Sequence, residues 1–158
     1  MNRVLLFLPL LAIVSCTKES ATNYHAYLKN GTSRKITILP FKSGFVNGPD
    51  TIHLDPQQEI MIAEGSDRGM VNHGGFDHDR LSRNSQDSTV VIFDDTYRVA
   101  HYVDMPSQTT AKYIDYSSNR NLSNFKSYDY SYKDVNKHNR EASYNYVFVS
   151  SDYEFARQ

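Results

Sequence analysis

From Val4 to Val14 the chain is almost wholly apolar, and no later segment sustains an apolar run of that length. The run is too short to cross a bilayer as a helix, which takes roughly 20 residues. With Arg3 ahead of it, it has the charge order and length of a secretory leader. Beyond it the pattern changes to short strands. Tyr24 to Leu28 and Lys35 to Phe41 alternate loosely and are joined through Asn30-Gly31, whose tolerance of positive φ predicts a tight hairpin. Thr51 to Leu54 and Glu59 to Ala63 form a second pair around Asp55-Pro56-Gln57-Gln58, where Pro56 presets φ for a turn. In the third pair, Ser88 to Phe93 is nearly all β-branched or aromatic, Asp94-Asp95-Thr96 turns it, and Tyr97 to Val103 returns. Val90-Val91-Ile92-Phe93 does not alternate, which predicts a central strand covered on both faces.

Tyrosine dominates the last third. Tyr113 and Tyr116, then Tyr128, Tyr130 and Tyr132, then Tyr144, Tyr146 and Phe148 recur near period two, as strand residues do. Ser151-Asp152-Tyr153-Glu154 has capping-box spacing and predicts a short C-terminal helix. No stretch carries a long amphipathic helical period, and there is no internal repeat or second-domain linker. The fold class expected is all-β: a single antiparallel β-sandwich or barrel-like domain over residues 24–158, with about eight strands.

Composition narrows the function classes. Seventeen basic and 18 acidic residues among 158 leave a net charge of −1. Only Arg3 among the charged residues lies within residues 1–15, so removing that leader gives −2. A near-neutral chain lacks the electrostatic footprint of a nucleic-acid binder, so no nucleic acid partner is expected. The 143 residues left after residue 15 make one ordinary domain.

The single cysteine, Cys16, follows Ile13-Val14-Ser15 directly after the apolar run. This order resembles the lipobox of bacterial lipoproteins, which implies cleavage after Ser15 and acylation of the Cys16 thiol. The leader is then residues 1–15 and the lipid attachment site is Cys16. Since one acyl chain binds membranes only marginally and two or more anchor stably, membrane lipid is the first expected partner. No cysteine remains for a disulfide, so packing alone must hold the domain. Residues 16–23, polar and without an apolar period, read as a tether. Thr17 stands where the resemblance would place an aspartate for inner-membrane retention, which implies an outer-membrane address on either the periplasmic or the cell-surface side. Lys18-Glu19 resembles a surface-export tag of the Bacteroidota, with one acidic residue where the tag has several.

A broader resemblance rests on the lipobox, the Asn30-Gly31 pair, the segment from Asp87 to Asp95, and the ending Tyr144-x-Tyr146-x-Phe148 followed by Asp152-Tyr153-x-x-Ala156. Together these look like the small lipoproteins of the Bacteroidota. The resemblance implies a lipid-anchored, β-rich domain and carries over no activity. Asp50-Thr51-Ile52 and Asp87-Ser88-Thr89 resemble the short O-glycosylation acceptor of the same bacteria, at the level of chance for this composition.

Candidate chemistry is sparse. The longest stretch without strand pattern, residues 65–85, holds His73, Asp77, His78 and Asp79, whose side chains are good ligands for zinc or similar ions. Nothing in their spacing sets them on one face, and a polar loop turned by glycines accounts for them. There is no GxSxG elbow, no phosphate-cradling loop and no dinucleotide fingerprint. Asp94-Asp95 is explained by turn chemistry, and His53 and His101 by a packed or solvent-edge place in a strand. Tyr128, Tyr130 and Tyr132 fall on one strand face and make a candidate binding face. A half-buried sheet face with hydroxyls at the surface accounts for the same spacing, in which case the three should behave alike.

The expectation is a lipid-anchored envelope protein that acts by binding or as an accessory to an envelope protein partner, without catalysis or cofactor. The alternative is a small envelope hydrolase or metal-dependent enzyme using the 65–85 loop.

Overall fold

A computed structural model describes residues 19–70, 87–104 and 111–158. Two sheets face each other. The first has the order β5 (Glu59–Arg68), β1 (Ala21–Asn30), β10 (Asn139–Phe148), β9 (Asp129–Asn136). The second runs β3 (Phe45–Val46), β2 (Ile36–Lys42), β6 (Ser88–Phe93), β7 (Tyr97–Tyr102), β8 (Tyr113–Ile114), with β4 (Ile52–Leu54) also paired to β2. Among the described residues neither sheet closes into a barrel, so the all-β expectation resolves as a sandwich. Most pairs are antiparallel, but β1 and β10 run parallel from Ala21↔Asn139 to Asn30↔Phe148, and β7 and β8 are also parallel.

The local signals that hold are those whose strands pair directly. β6 and β7 form the expected hairpin, with Asp94 (φ 49°) and Asp95 (φ 56°) in the left-handed region that aspartate tolerates. The Asp94 carboxylate accepts from the Lys35 amide at 3.1 Å and pairs with Arg34 at 3.0 Å, so the turn also fastens the start of β2. β6 is central as expected: Thr89, Val91 and Phe93 are buried, as is Ile92, while Val90 is half-buried. The β9–β10 hairpin turns where the Asn136 side chain accepts from the His138 and Asn139 amides.

Two expected pairings are not made. β1 and β2 lie in different sheets, so Asn30-Gly31 begins a crossover and is not a hairpin turn; β4 and β5 are likewise split between the sheets. The reason is the Asn30 side chain, which is fully buried. Its amide group donates to the carbonyls of Arg34, Leu54 and Asp55 (2.6, 3.2 and 3.1 Å), and its oxygen accepts from the amide and hydroxyl of Thr32. The Asn30 backbone also exchanges bonds with Gln57 and Gln58. One side chain thus ties both crossovers into a corner. Gly31 is needed there for closeness, since a Cβ at that position would meet the Phe148 carbonyl oxygen at 2.8 Å.

Between the sheets lie Ala26 and Leu28 of β1, Ile36 and Ile38 of β2, Val91 and Phe93 of β6, and Tyr144, Tyr146 and Phe148 of β10. Helix α1 (Ser150–Arg157) closes the corner end, with the Tyr153 ring edge-on to Phe93 at 5.9 Å and Tyr97 at 5.6 Å. The helix starts earlier than the capping-box spacing predicts. Val149 is the N-cap residue, and its amide donates to the Asp152 carboxylate at 2.8 Å. β1 begins at Ala21 and the Gly69 amide already donates to the Ser20 carbonyl, so residues 20–23, expected in the tether, belong to the folded domain.

Candidate functional site

Residues 115–128 form a strap over the second sheet with little regular structure, yet Asn121, Leu122, Ser123 and Asn124 are all buried. A buried loop must find partners for its own backbone, and here side chains supply them. Asn121 donates to the carbonyls of Tyr102 and Ile114, and Asn124 donates to Tyr116. The Leu122 amide donates to Nδ1 of His101 at 3.0 Å, and the Tyr128 hydroxyl donates to the Leu122 carbonyl at 3.0 Å. Burial, with the Arg120 charge beside it, lowers His101 to about 3. The ring is therefore neutral, with its proton on Nε2, and serves as a structural acceptor.

Where the strap meets α1, Arg120 crosses between them. Its Nε donates to Asp152 at 3.1 Å, a second nitrogen pairs with the other carboxylate oxygen, and the same nitrogen reaches the Val147 carbonyl at 3.0 Å. The guanidinium lies 4.6 Å over the Tyr146 ring, whose hydroxyl donates to the Arg120 carbonyl. Beside this bracket opens a cleft of about 540 Å³, walled by Tyr113 and Phe155 and floored by Asp115, Ser118, Ser151 and Asp152. The Ser117 hydroxyl and amide both donate to Asp115, which holds that carboxyl below its usual range. The Lys112 ammonium sits 5.4 Å from the centre of the Phe155 ring. Arg120 and Asp152 satisfy each other, so what the cleft offers a ligand is aromatic surface, hydroxyls and the Asp115 carboxylate. Among the described residues, no cluster of three or more His, Cys, Asp or Glu side chains is arranged to hold a metal ion.

Of the site residues expected from sequence, Cys16, His73, Asp77, His78 and Asp79 lie outside the described residues. The three tyrosines share a face but do not behave alike. Tyr128 is 5% exposed and its hydroxyl is buried, against the expectation of surface hydroxyls. Tyr130 is half-buried, 5.1 Å from the Tyr144 ring. Tyr132 is 52% exposed, with the Arg140 guanidinium 4.0 Å over its ring. The gradient arises because β9 is an edge strand that runs away from the core. Tyr144, paired with Tyr130, is raised to about 12 by burial and the neighbouring Tyr130, Asp67 and Tyr24. Thr51 and Ser88, in the acceptor-like tripeptides, are both half-buried. His53 meets the Thr37 hydroxyl at 3.1 Å on the second sheet. Sequence reasoning missed Arg120, Asp152 and Phe155; the one local hint was the polar density of Asn119-Arg120-Asn121-Leu122-Ser123-Asn124.

No family model, no characterised protein and no solved structure matches this chain.

Proposed function

We propose that this chain is a lipid-anchored protein of the bacterial envelope whose sandwich acts by binding and performs no catalysis, with its ligand entering the cleft between the strap and α1. The observation that carries this reading is the state of the cleft's polar groups. Arg120 is committed to Asp152 and the Val147 carbonyl, and His101 behind it is held neutral as an acceptor. Neither is poised to move a proton in the neutral range, where a general acid or base needs its pKa. The exposed walls, Tyr113 and Phe155, are suited to stacking against a ligand. The anchor rests on the position of Cys16 after Ile13-Val14-Ser15.

Two measurements test this function. Labelling with a palmitate analogue should mark the chain and be lost in Cys16→Ala; label retained by that variant would sink the anchor. Amide chemical shifts, followed during titration with soluble peptidoglycan fragments and core oligosaccharides, should move around Tyr113, Ser118, Ser151 and Phe155. The movement should vanish in a Tyr113→Ala/Phe155→Ala double variant. Shifts confined to other faces would overturn the cleft as a binding site, and turnover of any of these compounds would overturn the reading that the protein performs no catalysis.

A further inference from the structure

The strand directions give the sandwich a defined polarity. β1 runs into the Asn30 corner and β2 runs out of it, so the first residue of β1 and the far end of β2 both lie away from the corner. At the first residue, the Ala21 amide donates to the His138 carbonyl, which places the β9–β10 turn directly beside the point where the N-terminal segment leaves the domain. That end carries exposed apolar side chains. Val135 is 51% exposed next to the turn, and Phe45 is 78% exposed just after the Ser43-Gly44 turn at the tip of the β2–β3 hairpin, with Val46 exposed beside it. Lys42, Arg68, Lys133 and Lys137 are exposed around them together with the carboxylates Glu19, Asp87 and Asp134, of which Glu19 faces Arg68 at 3.9 Å and Asp134 pairs with Arg140. The corner end is closed by α1 and the crossovers, and the exposed apolar side chains there, Val149 at 40% and Phe155 at 38%, are less open than Phe45 and Val135.

The length of the segment outside the domain decides what this end meets. Ser20 is already bonded to Gly69, so only Thr17, Lys18 and Glu19 separate it from Cys16. At no more than about 3.5 Å per residue, they hold the domain within roughly 14 Å of an acylated cysteine. An apolar surface held that close to a bilayer enters the headgroup region to a depth of about 5–10 Å, and the lysines around Phe45 and Val135 reach anionic headgroups from there. We propose that the end of the sandwich opposite the corner rests on the bilayer, with Phe45 and Val135 inserted among the headgroups. The inference rests on the reading of Cys16 as the lipid-bearing residue. It fixes the orientation of the protein: the cleft beside α1, at the corner end, faces away from the membrane.

The chain contains no tryptophan, so Phe45→Trp, Val135→Trp and Val149→Trp each introduce a sole indole; Val149 is an exposed site at the corner end. The acylated full-length variants are purified from membranes and reconstituted in phosphatidylethanolamine and phosphatidylglycerol vesicles, with or without brominated acyl chains. The expected result is a blue shift and a loss of emission in brominated vesicles for Phe45→Trp and Val135→Trp, and neither for Val149→Trp. If acylated protein floats with the vesicles while the first two probes stay unquenched, or while Val149→Trp is quenched instead, the orientation is overturned and the anchor stands. If the chain is not acylated and does not float, the anchor falls and the orientation with it. A blue shift that grows with protein concentration in the absence of vesicles assigns the surface to a second copy of the chain and overturns the bilayer as its occupant.

Discussion

Acidification should loosen the domain through one residue, His101. The ring is buried, accepts a hydrogen bond from the Leu122 amide at 3.0 Å, and is lowered to about 3 by burial and then by Arg120. Protonation would replace the acceptor with a donor facing the Leu122 N–H and put a second cation near Arg120. In the unfolded chain the ring titrates near the ordinary value of 6.5. Between these limits the unfolded state binds one proton more than the folded state, so stability rises with pH. The His101 contribution is therefore complete above 6.5 and is lost progressively as pH falls toward 3. One proton corresponds to about 1.4 kcal/mol per pH unit, which gives a loss of roughly 2.5 kcal/mol between neutrality and about pH 4.5. That is a large share of the 5–15 kcal/mol typical of a domain. Asp115 and Asp134, held below their usual range by hydrogen bonds from Ser117 and Arg140 respectively, lose their contributions only as pH falls below the ordinary carboxylate value. The upper window isolates the histidine. Urea unfolding followed by far-UV circular dichroism, at neutral pH and at about pH 4.5, should show this loss in the wild type. It should be largely absent in His101→Gln, whose amide oxygen can still accept from Leu122 but does not titrate. Equal losses in the two proteins would refute the assignment.

The graded burial of the tyrosine face should appear directly in denaturation midpoints. Tyr128→Ala is expected to cost about 3–5 kcal/mol, whereas Tyr132→Ala should cost about 1 kcal/mol or less, mainly the Arg140 contact; similar losses in both would contradict the gradient. Asn30→Ala leaves several buried backbone groups without partners and should cost about 3 kcal/mol or more at about 1–3 kcal/mol for each uncompensated group. A loss under about 1 kcal/mol by urea titration would mean the corner does not depend on that side chain.

What could be read along the chain was whatever neighbours in sequence decide together. The β6–β7 hairpin was legible because the β-branched run, the aspartate turn and the returning strand are contiguous and do pair. The tyrosine period marked β9 and β10 as strands for the same local reason, and spacing marked the short C-terminal helix, though its N-cap is Val149 and not Ser151. Asn30-Gly31 misled because a hairpin turn and a crossover use the same residue types; only the partners waiting in the Arg34 and Leu54–Asp55 segments commit the side chain to a corner. The pairing of β1 with β10 joins opposite ends of the domain and leaves no mark in either strand.

The candidate site lies wholly on the tertiary side of this division. Arg120 and Phe155 belong to no spacing motif and Asp152 was legible only as part of a helix start; the three become neighbours only when α1 docks against β7 and the strap folds across His101. The sequence by itself determined the all-β class, the strands with direct hairpin partners and the place of the sole cysteine, because each depends on side-chain period or local backbone preference. The sheet to which each strand belongs, the depth of each tyrosine and the cleft were decided by the tertiary structure. Those depend on which buried polar groups satisfy one another across the fold, and hydrogen bonds between distant segments impose no pattern on the residues in between.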